Sequence, residues 1–262
     1  MSPRAHTLVI GGSKGIGRTL VRSLAGDGQV VSVISRSKPA GFDDLPFVKA
    51  WTADVADASA LETALSSALS AHGSVSGAVL LQRYSGDGDD WAGELATSLT
   101  ATRSVLEWVG EHRRISGHGT AVVVIGSAAG SFIASEQPVS YHVAKAGITQ
   151  MVRYYAVAFG SKGVRVNSIS PGTIVKEESQ SFYQDNPELE RLYRDIIPVG
   201  RMGTARDVAD LAIFLLSERA SFLTGQNIVL DGGVSLHWHE SLARRVSPLK
   251  DLNVSRPSLR KS

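Results

Sequence analysis

The chain of 262 residues contains no cysteine, which excludes thiol catalysis, disulfide bonds and zinc sites with cysteine ligands. A large excess of one sign of charge is also lacking: the formal net charge is +2, which predicts a protein that does not bind nucleic acid. The small basic excess lies after Val234, where six basic residues face two acidic ones. We expect this basic C-terminal tail, residues 236–262, either to be disordered or to cross to a neighbouring subunit.

Long apolar runs are absent as well, since none approaches the roughly 18 residues that a membrane-spanning helix needs. The first apolar stretch, Thr7–Ile10, is too short for a signal peptide, so we expect a cytoplasmic protein without a membrane partner. No Pro/Ser-rich linker divides the sequence, which favours a single domain over residues 1–235. The "HWHE" at 237–240 lacks a third ligand at helical spacing, so no metal site is predicted.

Short runs rich in β-branched residues alternate along the chain with segments of helical periodicity. Strands that are apolar throughout and separated by helices predict a parallel sheet covered on both faces. Seven such strands in one domain predict a doubly wound, Rossmann-type α/β fold. The predicted strands are Thr7–Ile10, Gln29–Ser35, Phe47–Trp51, Ala78–Leu81, Thr120–Ile125, Val164–Ile169 and Asn227–Leu230. The predicted helices cover 15–26, 57–71, 90–114, 139–159 and 204–217.

The first strand leads directly into "GGSKGIG", residues 11–17, and then into a helix. Glycines permit a tight turn and a close approach to a pyrophosphate, while the helix offers free N–H groups and its positive dipole end. The spacing is Gly-x-x-x-Gly-x-Gly rather than the usual G-x-G-x-x-G. The residues predicted to bind phosphate here are Gly11, Ser13, Lys14, Gly15, Ile16 and Gly17.

The end of the second strand indicates which dinucleotide would bind. An acidic residue about 20 positions after the glycines typically binds the free 2′-hydroxyl of NAD. Here Ser35 and Arg36 occupy that place, and Lys14 lies within the glycine loop. Two cations beside the ribose fit a 2′-phosphate, so the predicted cofactor is NADP(H), although both side chains could instead be merely solvated.

The helix predicted over 139–159 contains "YHVAK", in which Tyr141 and Lys145 are four residues apart and share one helix face. This spacing alone is a weak signal. Its context is stronger, because the helix follows the fifth strand and Ser127 lies just beyond that strand's carboxyl end. Ligands of such folds bind at this edge of the sheet.

Over about residues 5–233 the chain resembles the short-chain dehydrogenase/reductase family. The resemblance rests on "GGSKGIG" (11–17), "ADV" (53–55), "GSAAG" (126–130), "YHVAKAG" (141–147), "GVRVNSISPGTI" (163–174) and "LTGQNIVLDGG" (223–233). In this order and spacing the motifs are highly specific. The resemblance implies a three-layer fold and hydride transfer between NADP(H) and an alcohol/carbonyl pair.

The resemblance also implies the catalytic roles. Tyr141 would donate the proton to the substrate oxygen, and a neighbouring ammonium at Lys145 would lower the pKa of the phenol from its usual value near 10. Lys145 would also hold the ribose of the nicotinamide, and Ser127 would orient the substrate oxygen. Residues implied to border the adenine and nicotinamide are Asp54, Val55, Pro171, Gly172 and Ile174. A substrate lid is implied over about 176–200.

Four positions depart from the family pattern. Ile10 replaces a threonine, and Lys176 stands where a threonine usually meets the cofactor. Ser98 replaces the asparagine of the proton relay, and we assign it to the catalytic set as a hydroxyl that can still anchor a water. At the end of the fourth strand the bulky Gln82–Tyr84 segment replaces a turn of small residues. We expect this bulk to face a ligand and assign Gln82 and Arg83 to the cofactor; the Arg83 guanidinium could instead pair with an acidic group of the substrate or point into solvent.

The sequence therefore predicts an NADPH-dependent reductase, a ketoreductase that interconverts a ketone and a secondary alcohol as small-molecule substrates. The resemblance implies a homo-oligomer, either dimer or tetramer, formed through the helices 90–114 and 139–159. A protein of the same fold that binds NADP(H) with little or no catalysis, as a sensor or assembly subunit, is the first alternative. An epimerase or dehydratase is a weaker one, because a sizeable second domain is lacking.

Overall fold

A computed structural model of the chain describes residues 4–37, 41–86, 89–115 and 119–247. Its main sheet contains seven parallel strands in the order β3-β2-β1-β4-β5-β6-β9. The strands of this sheet are β1 (His6–Ile10), β2 (Val30–Ser35), β3 (Val48–Thr52), β4 (Gly77–Leu80), β5 (Thr120–Ile125), β6 (Val164–Pro171) and β9 (Asn227–Leu230). A separate parallel pair consists of β7 (Ile174–Val175) and β8 (Gly203–Thr204). The predicted doubly wound, Rossmann-type α/β fold is confirmed.

Helices cover both faces of the sheet, as the alternation of strand and helix patterns predicts. They are α1 (Gly15–Gly26), α2 (Ala58–His72), α3 (Trp91–Leu95), α4 (Ala101–His112), α5 (Val139–Gly160), α6 (Gln180–Gln184), α7 (Pro187–Ile196), α8 (Ala205–Leu216) and α9 (His239–Val246). Of the described helices, none combines the length and the apolar character needed to cross a membrane.

Two hydrophobic cores lie on opposite faces of the sheet because successive strand residues point to opposite sides. In β1, Leu8 and Ile10 belong to the core under α2, α4 and α5, whereas Val9 belongs to the core under α1 and α8. All three side chains are fully buried. Because a central strand is buried on both faces, polar side chains that meet a ligand can lie only beyond the ends of the strands.

The strand order reverses next to β1, which pairs with β2 on one side and with β4 on the other. The connections that leave β1 and β4 at their carboxyl ends therefore run in opposite directions and open a crevice between them. The glycine loop follows β1 and the Gln82–Tyr84 segment follows β4, so both lie at this crevice.

The structure refines one sequence expectation and corrects another. The helix predicted over 90–114 is continuous from Trp91 to His112 but contains a π-helical turn over Ala96–Thr100, between α3 and α4. The tail is not disordered throughout, because its residues 239–246 form α9, which packs against α7. The tail beyond residue 247 lies outside the described residues, and its proposed crossing to another subunit stays a prediction.

A chain of hydrogen bonds lies at the opposite edge of the sheet from the crevice. The Nδ1 of buried His6 is 2.8 Å from the Gly73 carbonyl oxygen, and its Nε2 is 2.8 Å from Ser32 Oγ. Ser32 Oγ is in turn 3.0 Å from His72 Nδ1. Burial lowers the pKa of both histidines below 6.5, and the nearby Lys49 lowers that of His72 further. Both imidazoles are therefore neutral in the folded state at neutral pH.

These two lowered pKa values predict a loss of stability in mild acid. Below pH 6.5 the unfolded chain binds protons at both histidines before the folded chain does, so the free energy of unfolding decreases as the pH falls. We expect the Tm to drop between pH 7 and pH 5, by about 2–4 °C for each kcal/mol lost. Calorimetry of the His6→Gln variant should show a smaller drop, whereas the exposed control His239→Gln should follow the wild type. Equal slopes for all three proteins would contradict this origin.

Candidate active site

A cleft of about 660 Å³ opens at the carboxyl ends of the central strands. It is formed by the glycine loop, the segments that follow β2, β4, β5 and β6, and the first turns of α5. The structure brings most predicted site residues together here. Those lining the cleft are Gly11, Ser13, Lys14, Gly15, Ile16, Gly17, Arg36, Val55, Gln82, Arg83, Ser127, Tyr141, Lys145, Pro171, Gly172 and Ile174.

The glycine loop is tight because side chains are sterically excluded from it. Gly11 and Gly15 have φ angles of +86° and +48°, in the region that glycine occupies without strain. A Cβ on Gly17 would lie 2.4 Å from the carbonyl oxygen of Gly11. The loop therefore brings backbone N–H groups and the N-terminus of α1 to the floor of the cleft, a geometry that binds phosphate oxygens.

The Glu178 carboxylate, in the segment that follows β7, occupies this anion site. Glu178 Oε1 accepts a hydrogen bond of 2.9 Å from the backbone N–H of Gly15. The adjacent Glu177 pairs with Arg18 on α1 at 3.2 Å. The loop thus binds anionic oxygens in this structure, and the residues present fit the pyrophosphate of a dinucleotide.

Two cations line the cleft near the glycine loop and the end of β2. Lys14 and Arg36 are both exposed and both line the cleft. Arg36 donates a hydrogen bond of 2.6 Å to Ser85 Oγ, so its guanidinium is held across the cleft mouth by the segment after β4. The hydroxyl of Ser35, at the end of β2, donates a hydrogen bond of 2.8 Å to the Ser37 carbonyl oxygen.

The N-terminal part of α5 presents Tyr141 and Lys145 to the cleft. Asp89 fixes the start of this helix by accepting a hydrogen bond of 3.3 Å from the backbone N–H of Ser140. Lys145 Nζ lies 5.3 Å from the centroid of the Tyr141 ring. Across the cleft, Ser127 Oγ accepts a 3.2 Å hydrogen bond from the Ala129 N–H, which orients the hydroxyl and leaves its proton for a ligand.

Lys145 is only 4% exposed, and this burial lowers the pKa of its ammonium to about 8. The charge of Glu94 raises this pKa and the charge of Arg83 lowers it. Because the resulting value still lies above 7, the ammonium remains the main form at neutral pH. Lys145 can therefore act on Tyr141 as a positive charge and as a hydrogen-bond donor.

In the bulky segment after β4, Gln82 and Arg83 line the cleft, whereas Tyr84 contacts the start of α3. Arg83 Cζ lies 5.9 Å from the centroid of the Tyr141 ring, and Gln82 Nε2 donates a hydrogen bond of 2.7 Å to Thr102 Oγ1. Gln82 Oε1 is buried and has no hydrogen-bond partner among the described residues, which leaves it available to a hydroxyl donor. The expectation that all three residues face a ligand is wrong for Tyr84, whose hydroxyl donates to Asp90 at the start of α3.

Two predicted site residues lie outside the cleft lining. Ser98 is buried in the π-helical turn, where its hydroxyl donates a 2.5 Å hydrogen bond to Glu94 Oε1. Asp54 Oδ1 accepts a 3.0 Å hydrogen bond from the Ala56 N–H in the turn before α2. Their roles at the relay and at the adenine stay predictions.

Other residues lie at or beside the cleft although sequence reasoning did not assign them to it. Thr97, Glu178 and Ser179 line it, and Lys176 joins them as the departure from the family pattern suggested. Glu94 was missed although its spacing of four residues from Ser98 was a usable signal. Among the residues that the structure describes, no three carboxylate or histidine side chains converge as metal ligands would.

Comparisons with known proteins agree with this geometry. The family model described as "Enoyl-(Acyl carrier protein) reductase" matches residues 11–235. The chain is 31% identical to 2-(S)-hydroxypropyl-CoM dehydrogenase 3 of Xanthobacter autotrophicus, covering 90% of this chain and 99% of that protein. It is 34% identical over 148 residues to an NADP-dependent mannitol dehydrogenase of Hypocrea jecorina, covering 56% and 54% of the two chains.

The fold is also similar to solved structures of short-chain dehydrogenases/reductases. A short-chain type dehydrogenase/reductase from Mycobacterium ulcerans superposes with a TM-score of 0.79 at 27% identity, covering 94% of this chain and 96% of that one. The match of the family model over most of the chain, together with the full-length relative, establishes the family. The chain belongs to the short-chain dehydrogenase/reductase family, whose members are oxidoreductases that use a nicotinamide cofactor.

Proposed function

We propose that this protein is an NADPH-dependent reductase that interconverts a ketone and a secondary alcohol, with Tyr141 as the proton donor. The observation that carries the proposal is the position of the Tyr141–Lys145 pair. Both residues line the cleft that also contains the anion-binding glycine loop and Ser127. A proton donor and a dinucleotide site thereby share one cavity, as hydride transfer to a carbonyl requires.

The residues divide the reaction among them. NADPH, when bound, supplies the hydride to the carbonyl carbon. Ser127 holds the carbonyl oxygen through its hydroxyl, and Tyr141 donates the phenolic proton to that oxygen. The ammonium of Lys145 stabilises the phenolate that forms, because an adjacent positive charge favours the ionised phenol. The reverse reaction uses the same groups, with the phenolate as the base.

The preference for NADPH over NADH rests on Lys14 and Arg36. A 2′-phosphate gives each cation a charged partner, which a 2′-hydroxyl cannot provide. The Hypocrea jecorina relative is named as an NADP-dependent enzyme, which supports the same cofactor here. Both relatives are named as dehydrogenases, which supports an alcohol or its ketone as the substrate.

We also propose a homo-oligomer, in which α4 and α5 form the interface. Exposed apolar side chains on α5 support this arrangement, since Tyr154 is 67% and Val157 is 85% exposed. Such side chains on one helix favour burial against another subunit. A cytoplasmic location and the crossing of the basic tail to a neighbouring subunit are likewise proposals.

Binding of NADP(H) without catalysis is the second candidate, and the position of Arg83 favours it. Its guanidinium carbon lies 5.9 Å from the centroid of the Tyr141 ring in the same cleft, where its bulk takes up space beside the phenol. Oxidation of NADPH in the presence of a panel of ketones and diketones separates the two functions. Tight NADPH binding without turnover of any of them would select the binding protein.

Replacement of Tyr141 by phenylalanine tests the proton donor. We expect Tyr141→Phe to reduce kcat by at least about 100-fold, since general acid catalysis typically contributes 10²–10⁴-fold. NADPH affinity, measured by fluorescence titration, should stay within about twofold to threefold of the wild type because only the hydroxyl is lost. Tyr154→Phe on the exposed face of the same helix is the matched control. A Tyr141→Phe enzyme with a substantial fraction of the wild-type rate would exclude the proposed mechanism.

Replacement of Arg36 tests the cofactor preference. We expect Arg36→Ala to lower the ratio of kcat/KM for NADPH to that for NADH by roughly tenfold or more, as loss of a charge-assisted hydrogen bond does. Arg22→Ala removes a cation from the outer side of α1, where Arg22 binds the Gly41 carbonyl, and should leave the ratio unchanged. A wild-type enzyme with equal kcat/KM for both cofactors would refute the preference itself.

The lid carboxylate on the glycine loop predicts a competition with the cofactor. A pyrophosphate that accepts a hydrogen bond from Gly15 must displace Glu178, and the two anions repel each other. We expect Glu178→Gln to lower the Kd for NADPH several-fold in a fluorescence titration. Glu177→Gln, which breaks only the neighbouring pair with Arg18, should have a smaller effect. An unchanged or weaker affinity in Glu178→Gln would show that the carboxylate does not compete.

A further inference from the structure

Arg83 is a cation of the cleft to which the mechanism above gives no role. It follows β4 at the carboxyl edge of the sheet and lines the same cavity as Ser127 and Tyr141. Its guanidinium carbon lies 5.9 Å from the centroid of the Tyr141 ring. A permanent positive charge therefore lies beside the phenol that would donate its proton to a substrate.

The Arg83 guanidinium has no partner in the part of the chain that the structure describes. No described acid pairs with it, and no described oxygen accepts a hydrogen bond from its N–H groups. The other arginine in the described lining, Arg36, donates instead to Ser85 Oγ at 2.6 Å. A guanidinium offers five N–H donors in a planar fork. Because Arg83 is exposed, an incoming ligand can reach these donors.

Like charges lie near Arg83 in the cleft. Burial lowers the pKa of the Lys145 and Lys176 ammonium groups, and the positive charge of Arg83 lowers both further. All three side chains line one cavity, so an anion bound among them relieves their mutual repulsion. The charges of the cleft therefore favour an anionic ligand beside Arg83.

The anionic groups of the proposed cofactor have partners elsewhere in the cleft. The pyrophosphate fits the glycine loop, and Lys176 lies there too, since its Cδ would be 3.3 Å from a Cβ placed on Gly15. Lys14 and Arg36 fit the 2′-phosphate. Arg83 lies instead beside the proton donor, which must contact the substrate oxygen. An anion bound by Arg83 is therefore best supplied by the substrate.

We propose that Arg83 binds a carboxylate of the substrate, and that the substrate is an oxo acid, a ketone with a carboxylate a short carbon chain from its carbonyl. The guanidinium fork matches the two oxygens of a carboxylate in a bidentate pair. This pair orients the carbonyl oxygen toward Ser127 and Tyr141. The assignment of a substrate class rests on the proposed function. The reaction converts the oxo acid, NADPH and one proton into a hydroxy acid and NADP⁺, and leaves the carboxylate unchanged.

Matched substrates test this inference. Acetoacetate and 4-oxopentanoate are compared with their methyl esters, which keep the ketone but lose the negative charge. We expect the wild type to have a kcat/KM at least about tenfold higher for one of the acids than for its ester. Arg83→Gln should lower this ratio about tenfold or more, as loss of a charge-assisted hydrogen bond does. The ratio cancels any effect of the substitution on Tyr141 or Lys145, because that effect is common to both substrates.

Two further variants control for charge and for geometry. Arg83→Lys keeps the charge but not the planar fork, so its ratio should lie between those of the wild type and Arg83→Gln. Arg22→Gln removes one positive charge from an exposed position of α1 and should leave the ratio unchanged. A wild type that prefers neither acid to its ester would overturn the inference. An unchanged ratio in Arg83→Gln, or an equal loss in Arg22→Gln, would overturn it as well.

Binding is measured independently of turnover. The full-length protein, saturated with NADP⁺, is titrated with 4-oxopentanoate by calorimetry. We expect the Kd for this acid to rise at least about tenfold in Arg83→Gln, while the Kd for NADPH, from a fluorescence titration, stays within about twofold to threefold of the wild type. A Kd that rises for NADPH but not for the acid would assign Arg83 to the cofactor phosphates and overturn the inference.

These measurements separate this inference from the proposed function. A protein that reduces no ketone but binds 4-oxopentanoate through Arg83 would disprove the proposed function and leave the carboxylate site established. A protein that reduces neutral ketones but neither binds nor reduces the two acids would disprove only the carboxylate site.

Discussion

Burial of the central strands on both faces is the constraint on which the rest of the molecule depends. Because β1 has helices above and below it, polar chemistry is possible only where the strands end. The reversal of strand order between β2 and β4 then opens one crevice at the carboxyl edge. The glycine loop is far in sequence from Ser127, Tyr141 and Lys145, but all of them meet at this edge.

Electrostatics gives the cleft its chemical character. Four cationic side chains line it: Lys14, Arg36, Arg83 and Lys176. Burial lowers the pKa of the Lys176 ammonium, and the positive charge of Arg83 lowers it further. The pyrophosphate and the 2′-phosphate of the proposed cofactor would offset part of this positive charge. Two acidic side chains lie nearby: Glu178 accepts a hydrogen bond from the glycine loop, and Glu94 accepts one from Ser98 outside the cleft lining.

The fold was predictable from the sequence because the apolar runs and glycine positions are local patterns. The predicted strands match the observed ones within one or two residues, and the pairing of Tyr141 with Lys145 follows from helical spacing. Tertiary contacts were not predictable in this way. The Tyr84 side chain is held by the hydrogen bond from its hydroxyl to Asp90. The helix over 90–114 contains a π-helical turn that includes Ser98, whose hydroxyl donates to Glu94. The helical part of the tail likewise depends on packing against α7.

The hydrogen bond from Gly15 to Glu178 joins two parts of the chain that sequence places 163 residues apart. Glu178 belongs to the segment that would cover the substrate, yet its carboxylate is hydrogen-bonded to the loop that would bind the cofactor. A pyrophosphate that displaced this carboxylate would therefore also release the segment from the loop. Under the proposed function, such a release would favour a compulsory order, in which the dinucleotide enters first, the carbonyl compound second, and the oxidised dinucleotide leaves last as the segment returns to the loop.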